Sequence, residues 1–481
     1  MKTLTTFTTA FTTTKTFLTL AFALAAFGLL FANQPFSLSA FSATPPPAPP
    51  ITLRVELDRA VLPADTNDRA IVKVAIDGSR LARAEARSPV NLCIVLDRSG
   101  SMNGEKLARA KNAAIEALNH LGLGDVFSLV IFDDRIETLI PATRIAGNTD
   151  YIAKRISQIT SRGNTALYAG VSQGASEIRK NIDNSRYAHR IILLSDGQAN
   201  TGPSTPDDLA RLGVALMKEG ISVTTVGLGL NYDEDLMARL ALKSDGNTYF
   251  AENARDLARI FDAELGDVLN IVARRAVVTI EFPAGVRPIR FVGREGSIHG
   301  QNAELTLNQI YGGQEKFALI EVETPRERSG AEREIARAQV TFEDAIANKP
   351  ATLNAASRAR FSDDKDAVLQ SGNQRLQAEY ADNRFAEARE KSIALADAGQ
   401  PAEAAAALQT EVARMQEYAV FNGNAAVSQL AAGNSAIAAK ITLEGGIGNA
   451  DRKTYRALFN NTVQQQSSGS GTSSFISSGT Q

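Results

Sequence analysis

The 481-residue chain has one cysteine, three histidines and no tryptophan. A single thiol, Cys93, excludes an intrachain disulfide and any cysteine-rich metal framework. His120, His189 and His299 are scattered, so their spacing suggests neither a histidine zinc site nor a nucleophile-base pair. Charge of one sign is missing too. Against 53 acidic residues stand 51 basic ones, and a net charge of −2 leaves no electrostatic footprint for nucleic acid. No Gly-Lys-Ser/Thr tripeptide occurs, which removes phosphate-loop nucleotide binding. Gly227 and Gly229 form a G-x-G, but Tyr232 stands where the third glycine of a dinucleotide fingerprint belongs, and Ser195 lacks the first glycine of a nucleophile elbow, Leu193 standing in its place. A phosphoryl-accepting role for Asp97 would want a second aspartate two residues on, where the chain has Ser99. With no catalytic constellation in view, a non-enzymatic protein is expected.

Long apolar runs are confined to residues 17–32, which would span about 24 Å as a helix against ~30 Å of membrane hydrocarbon. Lys2 and Lys15 precede this run, and the small residues Ser39, Ala40, Ser42 and Ala43 follow it, the pattern of a secretory leader over 1–43. The expectation is an exported protein, in a periplasm, on a cell surface or secreted, touching membrane only through an uncleaved leader. Residues 44–50 include a proline run and read as an extended spacer, whereas 466–481 are rich in Ser and Gly and read as a disordered tail. The length between them allows about three domains.

What is present is a set of hard oxygen donors at the ends of apolar strands. Residues 90–96 (VNLCIVL) read as a buried parallel strand that ends at Asp97-Arg98-Ser99-Gly100-Ser101. A helix is expected over 104–121, with Leu107, Ala110, Ala114, Ile115, Leu118 and Leu121 on one face. A second apolar strand delivers Asp196 in Ser195-Asp196-Gly197, and Gly163-Asn164-Thr165 opens another helix. Open parallel sheets collect ligands outside the carboxyl ends of their strands, so these three loops can converge. Asp97, Ser99, Ser101, Thr165 and Asp196 are therefore candidate ligands of one divalent cation. Two carboxylates with neutral hydroxyls suit Mg²⁺, with Mn²⁺ or Ca²⁺ as alternatives, because a hard ion takes oxygen ligands and keeps waters. So little negative charge would leave the ion electrophilic toward an outside carboxylate. Asp133, Asp134, Asn231, Tyr232 and Asp233 follow strands as well and could border the same face.

The D-x-S-x-S…T…D set resembles the metal-ion-dependent adhesion site of von Willebrand factor A domains, and the phrases FSLVIFDDR, GNTALYAGV, LLSDGQANTG and VGLGLNYDEDLM are similar to its bacterial branch. Inter-α-trypsin inhibitor heavy chains and calcium-activated chloride-channel regulators belong to the same circle of resemblance. It implies a metal held by the five residues, a protein partner presenting Asp or Glu, and a last helix, 254–269, that could shift on ligand exchange.

Strands and helices alternate over 90–270, as in a doubly wound, mostly parallel α/β sheet. Short strands over 51–88 and 271–345 are expected to close one β-sandwich around or beside that domain. Residues 351–465, rich in Ala, Gln, Glu and Arg, are expected to be helical, with a hairpin turning at Gly399-Gln400-Pro401. The function expected is metal-dependent adhesion or protein interaction. The alternative is an envelope assembly or regulatory scaffold in which the metal is structural and the sandwich or helices bind the partner.

Overall fold

The computed structural model describes residues 49–80, 88–183, 186–196, 199–229, 232–251, 254–268 and 270–465. The leader, residues 44–48 of the spacer, the tail, Gly197 and Asn231 lie outside the described residues.

Strands β1 (Ile51–Leu57), β2 (Val61–Pro63) and β3 (Asp68–Gly78) come first. The chain then enters the central domain through β4 (Val90–Asp97), α1 (Glu105–His120), β5 (Val126–Phe132), β6 (Ile136–Arg144), α2 (Thr149–Ser157), α3 (Leu167–Arg179), β7 (Ala188–Ser195), α4 (Pro206–Lys218), β8 (Ile221–Leu228), α5 (Glu234–Lys243), β9 (Thr248–Ala251) and α6 (Ala254–Val268). Its sheet runs β6-β5-β4-β7-β8-β9, parallel throughout except for β6 against β5. Every residue of β4, β5, β7 and β8 is buried, because helices cover both faces of the sheet. Alternation along β4 divides the two cores: Leu92, Ile94 and Leu96 pack with α1, α2 and α6, while Cys93 and Val95 pack with α3, α4 and α5. Helix α3 comes so close that a Cβ on Gly174 would stand 2.5 Å from Val95 Cγ2 and 3.3 Å from the Cys93 sulfur. Burial pushes the Cys93 thiol up to about 12, so it is a packing group rather than a nucleophile.

The order has a consequence for binding. From β4 the chain winds outward to β5 and β6, then returns to β4's other side to build β7, β8 and β9. The switch point thus lies between β4 and β7, and a crevice opens at their carboxyl ends.

The remaining strands are β10 (Ile271–Glu281), β11 (Arg287–Val292), β12 (Ser297–His299), β13 (Asn302–Tyr311), β14 (Glu315–Thr324), β15 (Glu332–Asp344) and β16 (Lys349–Ser362). They pair with the first three into two sheets, β1-β3-β14-β11 and β12-β13-β10-β15-β16-β2. Val72, Val74 and Ile76 of β3 share one core with Val278, Ile280 and Val340, so strands from before and after the central domain close a single sandwich. The α/β domain is an insertion within it.

The helical region starts later than its composition suggested. Residues 351–362 belong to β16, paired antiparallel with β15 from Lys349 against Asp344 to Arg360 against Glu332. Its burial alternates with period two, and that pairing overrides the helix propensity of Ala351, Ala355, Ala356 and Ala359. Helices α7 (Lys365–Gln370), α8 (Gln374–Asp397), α9 (Pro401–Asn422), α10 (Ala425–Glu444) and α11 (Asn449–Gln464) follow. Leu376, Phe385 and Leu408 pack on Ile71, Ala75 and Leu319, the outward side chains of the first sandwich sheet. Helix α11 reaches the inserted domain, where Arg452 pairs with Glu234 and Asp235 at 2.7 Å each and Lys453 donates to the Tyr232 carbonyl at 3.0 Å.

Two buried charge clusters mount the inserted domain on the sandwich. Lys316 Nζ lies 3.3 Å from Asp245 Oδ2, with Arg294 at 3.5 Å from the same carboxylate. Arg190, fully buried, donates to Gln309 Oε1 at 2.9 Å and to Tyr311 Oη, and sits 3.4 Å from Glu264 of α6. Glu264 also accepts from Thr224 Oγ1 and from Asn247 Nδ2 at 2.6 Å.

Candidate metal centre

Asp97 is the last residue of β4 and Asp196 follows β7 directly, so the switch point brings these two carboxylates to one crevice. The loop after Asp97 folds into a short 3₁₀ turn, Gly100–Met102, before α1. Within it a chain of contacts joins four of the five candidate ligands. Asp97 Oδ1 accepts from Ser99 N at 2.8 Å, Ser99 Oγ lies 3.1 Å from Ser101 Oγ, and Ser101 Oγ donates to Asp196 Oδ1 at 2.8 Å. Asp97, Ser99 and Asp196 are buried, while Ser101 is exposed at the mouth.

Thr165 arrives through its backbone. Gly100 N donates to the Gly163 carbonyl at 3.1 Å, tying the first loop to the second. Thr165 N donates to Asn200 Oδ1 at 2.9 Å and Asn200 N donates back to the Thr165 carbonyl at 3.1 Å, tying the second loop to the third. Gly163 adopts φ +71, and a Cβ there would stand 2.1 Å from Asp134 Oδ1, so this turn requires glycine on both counts.

Asp133 is a bolt rather than a ligand. Its Oδ2 accepts from Arg98 Nε and Arg162 Nε at 2.8 Å each, and its Oδ1 from Arg135 N at 2.7 Å. Burial works against its charge, yet these donors hold the carboxyl down at about 2. Asp233 caps α5 by accepting from Asp235 N and Leu236 N at 3.1 Å, and Tyr232 is buried, its ring stacked on Phe250. Neither joins the crevice through these contacts.

Asp97 is in a different electrostatic position. Burial pushes its pKa up to about 6, against hydrogen bonds from Ser195 Oγ at 2.6 Å and from Ser99 N, with the like charge of Asp196 adding to the rise. Both donors are neutral. A buried carboxylate beside another carboxylate and three hydroxyls is a fitting environment for a hard divalent cation, which would supply the charge these donors do not. Among the described residues no group of three or more His, Cys, Asp or Glu is placed to hold a metal ion.

Lys106, the second residue of α1, forms a close ion pair with Asp196 Oδ2 and lies 3.5 Å from the Ser101 carbonyl. Sequence reading missed Lys106, Ser195 and Asn200 as parts of the site. Ser195 adjoins Asp196, so its place at the strand end was the available signal; Asn200 and Lys106 carry no local pattern that aims them inward. The histidines stand apart. His120 is the last residue of α1, beside Asp262 at 3.7 Å, His189 is the second residue of β7, at the strand end away from the crevice, and His299 ends β12.

A family model described as von Willebrand factor type A domain matches residues 91–263. The uncharacterized Synechocystis protein sll0103 is 26% identical over 70% of this chain and 84% of its own length. Inter-alpha-trypsin inhibitor heavy chain H3 of Bos taurus is 27% identical over 33% of this chain, a match that spans only 18% of that protein. Among solved structures, a von Willebrand factor type A protein from Catenulispora acidiphila superposes with a TM-score of 0.62 at 19% identity, covering 78% of this chain and 87% of that one. That overlap exceeds the inserted domain and takes in neighbouring parts of the fold. Residues 91–263 are thus a von Willebrand factor type A domain, carried in a chain homologous to bacterial proteins of that kind and to inter-alpha-trypsin inhibitor heavy chains.

Proposed function

We propose that this chain is an exported, non-catalytic protein-interaction or adhesion protein whose inserted domain captures an acidic side chain of a partner in a metal-dependent way. The observation that carries the reading is Asp97, a buried carboxylate with neutral hydrogen-bond donors at the sheet's switch point. Asp97, Ser99, Ser101, Thr165 and Asp196 would hold the ion. When bound, Mg²⁺ or Mn²⁺ supplies an electrophilic coordination position for an incoming Asp or Glu carboxylate. The chain's own part is placement. Asp133 with Arg98 and Arg162 fixes the first two loops against each other, Asn200 fixes the second to the third, and Ser195 orients Asp97. Exposed Ser101 leaves the mouth open to a partner.

The test is affinity capture from an envelope and extracellular extract on immobilised residues 49–481, in Mg²⁺ and in EDTA, with Thr165→Ala alongside. A protein retained only by wild type with Mg²⁺, and eluted by EDTA, supports capture at this site. Equal retention in all three arms would assign binding to the sandwich or helices and leave any metal a structural role.

A further inference from the structure

At the amino-terminal ends of the central parallel strands, where β7 begins, a small cavity opens between the inserted domain and the sandwich. Tyr187, His189, Arg274, Arg275, Asn308 and Gln309 line it, with Ile182 and Gly220 on its wall, and its volume is about 20 Å³. That exceeds the ~10–15 Å³ needed to seat one water-sized group. Arg274 is 5% exposed, and its Nε and Nη1 have no hydrogen-bond partner among the described residues. Its third nitrogen, Nη2, donates to Asn348 Oδ1 at 3.2 Å.

The strand is built to turn this side chain inward. A bulge places Arg274 opposite Glu343 but Val277 opposite Thr341, inserting one extra residue into β10. Arg275 takes φ 47, a left-handed conformation that a non-glycine residue adopts only at a cost. The nearby acids are engaged elsewhere. Glu343 pairs with Arg275, and Asp344 Oδ1 accepts from Ile346 N and Ala347 N at 2.8 Å each. Nor does His189 add a charge. Its Nδ1 faces Asn91 Nδ2 at 3.2 Å, an arrangement that makes Nδ1 the acceptor, and burial with the neighbouring Arg274 and Arg275 lowers its pKa to about 4. What remains is one buried guanidinium with two unpartnered nitrogens that carry three N–H groups, and a guanidinium stays protonated in proteins. An unpaired buried charge is expensive, and a counter-ion in the cavity removes that expense.

We propose that Arg274 Nε and Nη1 hold one small monovalent inorganic anion, of chloride size, in this cavity. The anion accepts the N–H groups that Glu343 and Asp344, near enough to act on Arg274 but hydrogen-bonded to other donors, leave open, and it fastens the base of the inserted domain to the sandwich. The volume selects a single-atom guest over a larger oxyanion.

The probe is chloride, followed by ³⁵Cl NMR line broadening at constant ionic strength on the full chain. Arg274→Gln is expected to lose the protein-dependent excess broadening, whereas Arg287→Gln, at an exposed arginine that does not line the cavity, keeps it. Ile182→Glu puts a carboxylate on the cavity wall and is expected to lose it too, with circular dichroism confirming the fold; this variant decides the matter if Arg274→Gln does not fold. No excess broadening in wild type, or equal broadening in wild type and Ile182→Glu, overturns the assignment.

Discussion

Asp97 and Asp245 are both buried aspartates of the same domain, one at the carboxyl-end crevice of the sheet and one at its junction with the sandwich, and their surroundings drive them in opposite directions. Burial opposes charge on each. At Asp245 the ammonium of Lys316 and the guanidinium of Arg294 prevail, holding the carboxyl below its usual range, with Asn308 N donating at 2.7 Å. At Asp97 only hydroxyl and amide donors oppose burial, and the pKa rises to about 6. The protein itself supplies the opposing charge at Asp245, and at Asp97 it does not. A domain that matches one buried aspartate with two cations and leaves the other among neutral donors is organised to be held at the first and to bind at the second.

The largest effect should come from opening the closed end. Asp245→Asn leaves Lys316 and Arg294 buried without their carboxylate, and breaking such a pair costs about 3–5 kcal/mol. Urea or thermal unfolding of the variant should show a loss of that order, while any Mg²⁺ binding by the folded fraction stays near wild type. The matching substitution at the open end should behave in reverse. Asp97→Asn removes a charge whose partners are neutral, so metal-free stability is expected to hold or rise at pH 7, and Mg²⁺ affinity by calorimetry to fall about 100-fold, on the order of 3 kcal/mol. Equal destabilisation by both variants would erase the contrast between the two ends.

The same contrast explains what could be read from the sequence. The crevice was legible because its residues sit in contiguous loops after apolar strands: VNLCIVL predicts a strand buried on both faces, and Asp97 must then emerge at its end. The sandwich was legible from the short strands on either side of the central domain, including its closure around the insertion. The junction was not. Arg190, Asp245, Glu264, Lys316 and Arg294 come from five separate segments, and nothing local to any of them signals the others. Residues 349–362 misled for a related reason, since their alanines favour a helix in isolation and only the partner strand β15 decides otherwise. Arg274 needed a bulge and a left-handed neighbour, neither of which leaves a mark in composition.

A smaller effect follows from pH. Because the folded-state pKa of Asp97 is raised, the metal-free protein has its full contribution from this group below the ordinary value of 3.8 and loses it as pH rises through about 6. Metal binding runs the other way, since the ion needs the carboxylate ionised. Mg²⁺ affinity should therefore be flat above pH 7 and decline about tenfold per unit below 6 from this single proton. Calorimetric titrations at pH 5, 6 and 7.5 would show it, and an affinity independent of pH over that range would remove Asp97 from the ligand set.

The smallest expected effect concerns the cation that pairs with a candidate ligand at the crevice. Lys106 pairs with Asp196 Oδ2, yet its side chain is 35% exposed, so its charge is partly screened by solvent. Its ammonium repels a divalent ion and competes for the same carboxylate. Lys106→Gln should tighten Mg²⁺ binding only about 2–5-fold in 0.15 M salt, with the gain shrinking further at 0.5 M as screening shortens the reach of the charge. A weakening instead would mean that Lys106 acts by holding Asp196 toward Ser101, and that order in the third loop outweighs charge in setting the affinity of the open end.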